Sequence, residues 1–149
     1  MKKILAIASA GGHWVQLLRL RKAFDGCSVL YVTTMKELKA AMPNERIEIV
    51  PDASRDEKLK LLALLVKVFL IILRNRPDVI ITTGAAPGVF ALKIGKLFGA
   101  KTIWIDSIAN AEELSLSGRL VAHNADLVLT QWPHIAAREK NIRYEGEVI

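Results

Sequence analysis

Short apolar runs recur along the chain, each followed by a small or polar turn and then by apolar residues at helical spacing. The runs at 3–8, 29–33, 47–50, 79–82, 102–105 and 127–130 are rich in Ile, Val, Leu and Thr with little polar alternation, as strands buried on both faces require. Between them the spacing of apolar residues predicts helices over 14–24, 35–41, 56–74, 88–98 and 116–123. Strand alternating with helix in this way predicts an α/β fold, a Rossmann-like parallel sheet with helices on both faces. The signals weaken after Pro133. At 149 residues the chain reads as one Rossmann-like domain, too short for a second full one.

In open parallel sheets ligands bind beyond the carboxyl ends of the strands, which directs attention to the loops at 9–13, 83–87, 106–113 and 131–134. Gly11 and Gly12 in the first loop let the backbone turn tightly and approach a ligand. The helix that follows offers free N–H groups and a positive dipole end to a phosphate. His13 is the one side chain in that loop suited to proton transfer near neutral pH, although a local capping role accounts for it as well. Thr83 and Gly84 occupy a second strand-to-helix turn whose small residues would admit a substrate against the backbone. By itself such a turn is ordinary structure. Ser107 and Asn110 lie in a long polar third loop that could bind a hydroxylated acceptor, whereas Trp132-Pro133 reads more simply as a core anchor than as a sugar-stacking platform.

Several chemistries fit poorly. The first loop lacks the third glycine of a dinucleotide fingerprint and the G-K-[ST] of a P-loop. No nucleophile elbow is present, and the histidines (13, 123 and 134) have no ligand spacing; with no D-x-D sequence either, neither a metal nor a cofactor is expected. The single cysteine, Cys27, excludes an internal disulfide and suits a reducing compartment.

Charge and hydropathy add a surface to this picture. The formal charge of +6 is concentrated in residues 1–76, where 14 Lys and Arg face 7 Asp and Glu, so an anionic partner is expected. Aromatics make up only 6% of residues and do not interleave with the basic ones, which favours lipid or sugar phosphate over nucleic acid. Residues 59–73 are the greasiest segment but carry Lys60 and Lys67 and fall short of a membrane span. Lys60, Lys67 and Arg74 recur every seven residues as one polar stripe on an otherwise apolar helix. That pattern predicts a helix that packs on the sheet and also meets a membrane interface or another protein. The apolar stretch after the first residues is too short for a signal peptide, so a cytoplasmic protein, peripheral on the inner face of the cell membrane, is expected.

Taken together, Ile7-Ala8-Ser9-Ala10-Gly11-Gly12-His13 with Gln16-Leu17-Leu18, Thr82-Thr83-Gly84-Ala85-Ala86-Pro87-Gly88, Ile105-Asp106-Ser107-Ile108-Ala109-Asn110, Leu114-Ser115-Leu116-Ser117-Gly118-Arg119-Leu120, Ala125-Asp126 and Gln131-Trp132-Pro133 resemble, in order, the acceptor-binding subunit of split GT-B glycosyltransferases. Eukaryotic members serve dolichol-linked oligosaccharide synthesis and bacterial members exopolysaccharide and capsule assembly. The resemblance implies the N-terminal half of a GT-B enzyme, holding a polyprenyl-pyrophosphate-linked acceptor while a separate donor-binding subunit holds the UDP-sugar. It places Gly11, Gly12 and His13 on the loop facing the acceptor diphosphate. Asn110 stands where the family often has arginine, and the missing N-terminal anchor points to the bacterial type. Gly146 matches a family glycine near the subunit junction, which makes 142–149 a partner-docking tail. The expected function is an inverting, metal-independent sugar transfer with His13 as general base or pyrophosphate contact. A catalytically silent membrane-recruitment subunit is the alternative, and a nucleotide-cofactor oxidoreductase a weaker third.

Overall fold

In a computed structural model, described here for residues 1–148, seven strands form a single parallel sheet in the order β3-β2-β1-β4-β5-β6-β7. The strands are β1 (Lys3–Ala8), β2 (Ser28–Thr33), β3 (Arg46–Ile49), β4 (Val79–Thr82), β5 (Lys101–Ile105), β6 (Leu127–Thr130) and β7 (Ile142–Tyr144). The helices are α1 (Gly12–Arg19), α2 (Leu38–Ala41), α3 (Lys58–Asn75), α4 (Ala85–Leu97), α5 (Leu116–Val121) and α6 (Pro133–Ala136), with a 3-10 turn at Arg21–Phe24. The strands expected at 3–8, 79–82 and 127–130 match residue for residue, and the other three shift by one residue, β2 and β5 starting earlier and β3 at both ends.

The helix expected over 14–24 breaks after Arg19, where the Leu20 amide donates to Leu17 and tightens the chain into the 3-10 turn. That expected at 35–41 shrinks to the single turn of α2. The helix expected from Gly88 begins instead at Ala85, because Pro87 lies in the first turn, where an amide hydrogen has no intrahelical partner to lose. The tail 142–149 is not free at its start. Ile142 is buried in the core and β7 pairs with β6, while Ile149 lies outside the described residues.

The two faces of the sheet are covered unequally. Leu5, Ile7, Leu30, Val32 and Ile80 form one core with α3 to α6, whereas Ala6, Ala8, Tyr31 and Ile81 form the other with α1, the 3-10 turn and α2. Among the described residues no helix covers β5–β7 on the α1 side, and Ile103, Leu127 and Leu129 are only half-buried there. Leu64, Val68, Ile71 and Ile72 anchor α3 to the sheet, each contributing about 2 kcal/mol of burial. Leu59, Leu62, Leu65, Val66, Phe69 and Leu70 on the same helix remain exposed.

Asp126 fixes the start of β6 against that of β5, its carboxylate accepting from the Thr102 amide at 2.8 Å and the Thr102 hydroxyl at 2.9 Å. The Thr102 amide bond is the main cause that holds its carboxyl below the ordinary aspartate range. A depressed folded-state pKa stabilises the fold above the unfolded value, about 3.9, and this contribution fades as pH falls through the folded one. Asp126→Asn will therefore be less stable than the parent at pH 7, with the gap narrowing below about pH 4 in urea titrations. A gap that is constant with pH would remove the carboxylate from this role.

Candidate functional site

The strand order reverses between β1 and β4, so the loops after these two strands open a crevice at the carboxyl edge of the sheet. α1 leaves β1 on one face and α4 leaves β4 on the other, and the two helix starts meet over the edge. Gly11 precedes α1 at φ 76° and Gly84 precedes α4 at φ 141°, both conformations that favour glycine. Neither helix has an acidic residue in its first turn, so both positive ends are uncompensated. Ala85, in the left-handed region at φ 68°, adds local strain at the second helix start.

His13 joins the two helix starts. Its Nδ1 lies 2.8 Å from the Thr83 carbonyl oxygen, and the Thr83 hydroxyl donates back to the His13 carbonyl at 2.5 Å. A carbonyl oxygen can only accept, so Nδ1 carries the hydrogen and the neutral ring keeps its lone pair on Nε2. That is the tautomer a general base needs. Gly84 packs under the ring so closely that a Cβ built on it would lie 2.5 Å from His13 ring atoms. Gly11, Gly12, His13, Thr83 and Gly84 thus come together as one cluster, with Thr83 fully buried and His13 half-buried.

The third and fourth loops stand beside this cluster on a buried polar network. The Gln131 amide donates to Gln16 Oε1 and to the Asp106 carbonyl, both at 3.0 Å, and Gln16 in turn donates to the Ser107 hydroxyl at 3.3 Å. Asp106, 2% exposed, accepts through its carboxylate from Trp104 Nε1, Asn110 Nδ2 and both the amide and hydroxyl of Ser115. Ser107 is therefore linked to the helix that carries His13, while the Asn110 amide is turned onto Asp106 and shapes its own loop. Trp132 donates to the Ile108 carbonyl at 2.8 Å, which fastens the third loop to the fourth. The tail joins the same network, since the Val148 amide donates to Gln131 Oε1 at 2.7 Å and Arg19 donates to the Val148 carbonyl.

Sequence reasoning assigned no role to Gln16 or Gln131. The available signal was an amide set among apolar neighbours: Gln16 falls between Trp14 and Leu17 on the buried side of α1, and Gln131 directly follows the buried strand β6. Lys60, Lys67 and Arg74 lie along α3, away from the His13 cluster. Lys60 is paired with Glu57 and Arg74 with Glu48, so two of the three cations are already partly neutralised.

A family model for "Oligosaccharide biosynthesis protein Alg14 like" matches residues 50–148, two thirds of the chain. The chain belongs to the Alg14-like family. Among named relatives of this Alg14-like chain, the mouse UDP-N-acetylglucosamine transferase subunit ALG14 is 26% identical over 183 residues, covering 99% of the chain and 83% of the mouse protein. The Yarrowia lipolytica subunit of the same name is 24% identical over 180 residues, covering 99% of the chain and 81% of that protein. Among solved structures, Acinetobacter baumannii MurG superposes with a TM-score of 0.75 at 16% identity, over 89% of the chain and 42% of MurG. The UDP complex of Staphylococcus aureus MnaA gives 0.73 at 14% identity, over 99% of the chain and 44% of MnaA. The Alg14-like sheet therefore has the Rossmann-like GT-B fold and spans less than half the length of these structures.

Proposed function

We propose that the chain is the acceptor-binding subunit of an inverting, metal-independent glycosyltransferase. In this reading it holds a polyprenyl-pyrophosphate-linked sugar while a donor-binding partner chain holds a UDP-sugar, UDP-N-acetylglucosamine in the first instance. The observation that carries the reading is the bond from His13 Nδ1 to the Thr83 carbonyl, which gives the neutral ring its lone pair on Nε2 beside two uncompensated helix starts. The helix starts attract the acceptor diphosphate. Nε2 takes the proton of the acceptor hydroxyl as its oxygen attacks the anomeric carbon, and the carbon–oxygen bond to UDP breaks with its electron pair leaving on UDP. Stabilising that leaving group falls to the partner. The relatives' printed names, which describe a subunit of a UDP-N-acetylglucosamine transferase, support a role as one chain of such an enzyme.

The direct test is transfer from UDP-N-acetylglucosamine to a polyprenyl-pyrophosphate sugar by the chain together with its donor-binding partner. An assembled pair that glycosylates no lipid-linked acceptor would end this reading.

One observation favours a recruiting role, whether or not the subunit is also catalytic. The exposed apolar residues of α3 flank a line of cations, which suits peripheral attachment to the inner face of an anionic membrane. Liposome binding will weaken as salt rises. Lys67→Glu will weaken it more than Lys60→Glu, because Glu57 already offsets Lys60. In flotation assays, indifference to salt and to both substitutions would leave α3 as a protein interface.

A further inference from the structure

Between α3 and the outer strand β3 lies an open groove of about 760 Å³, within the size range of small-molecule sites. Its walls are Ile49, Val50, Leu59, Leu62, Val66 and Leu70, and no acidic residue lines it. Two cations, Lys36 and Lys67, do line it, and neither is ion-paired among the described residues. An apolar trough that carries cations and no carboxylate suits the apolar body of an amphiphile whose anionic end lies close by.

The groove also lies on the same edge of the molecule as His13. β1, β2 and β3 are neighbours in parallel register, with Ala8 beside Thr33 and Thr33 beside Ile49, so the groove wall stands about 10 Å from the end of β1. The segment after β2, which carries Lys36, is tied to the first loop by the Ala10 amide donating to the Thr34 hydroxyl at 3.2 Å. A second apolar cavity, about 300 Å³ between α4 and α5, lies at the opposite edge, by the ends of α4 and α5 and the start of β6.

From this placement we infer that the groove between α3 and β3 binds the first isoprene units of the polyprenyl chain whose diphosphate sits at the His13 cluster. The inference rests on the acceptor reading above and adds to it a site for the lipid. Binding to the chain is measured calorimetrically with inorganic diphosphate and with geranylgeranyl diphosphate below its micelle concentration, without membranes. The isoprenoid will bind at least tenfold more tightly than inorganic diphosphate. Val66→Trp fills the groove from a half-exposed position, so it will abolish most of that gain and leave inorganic diphosphate binding intact. A gain that survives Val66→Trp, or no gain at all, overturns the groove. Should inorganic diphosphate fail to bind while the isoprenoid binds and Val66→Trp blocks it, the groove stands and the diphosphate site at His13 falls.

Discussion

His13→Ala will lower turnover of the assembled enzyme by on the order of a hundredfold or more, the usual contribution of a positioned general base. In the proposed mechanism the variant removes the Nε2 lone pair assigned to the acceptor proton. Because His13 is only half-buried and its backbone contacts with Thr83 persist, stability will change little. Gly84→Ala reaches the same end from the other side. Its Cβ would occupy space 2.5 Å from the imidazole and sit at φ 141°, so the ring must swing off the Thr83 carbonyl. That variant will lose most of its turnover while His13 is still present. Steady-state assays of the two variants decide the matter, and wild-type turnover in His13→Ala would remove His13 from the chemistry.

The second large effect is all-or-none. The chain alone will transfer no measurable sugar and will bind UDP-sugar poorly, and adding the donor-binding chain will restore transfer. GT-B chemistry takes place in the cleft between two lobes, and in the proposed enzyme this sheet supplies one wall of that cleft. The point of attachment can be tested separately. Deleting 142–149 would take away buried Ile142 and the last strand, whereas deleting 145–149 spares β7 and removes the Val148 bonds to Gln131 and Arg19. The shorter deletion will keep the domain folded and abolish co-purification with the donor-binding chain. Turnover of a UDP-sugar by the isolated full-length chain would refute the split-enzyme reading.

Much of this was legible in the sequence because burial on both faces leaves a strand few polar positions. β1, β4 and β6 could be bounded to the residue from their apolar runs. The start of α4 was missed because Pro87 reads as a stop signal, although the first turn of a helix tolerates it. The residues of the His13 cluster could be picked out from their loops, but not the bond that joins His13 to Thr83. His13 and Thr83 are 70 residues apart, and nothing local tells a histidine which carbonyl will fix its tautomer. The same holds for Gln16 and Gln131, 115 residues apart and meaningful only as a pair. The stripe on α3 was visible as a period of seven. Its pairing with Glu57 and Glu48 depended on how the helix entered from its preceding loop and lay against β3.

The uneven helical cover of the sheet bears on how a cell keeps this protein. On the α1 side of β5–β7, Ile103, Leu127 and Leu129 are left partly bare, the kind of apolar exposure that chaperones and proteases recognise. A copy made in excess of whatever covers that surface is the copy that is cleared. If the donor-binding chain of the proposed enzyme covers that face, the abundance of this subunit will follow the supply of its partner more than its own synthesis, and matched stoichiometry needs no dedicated regulator.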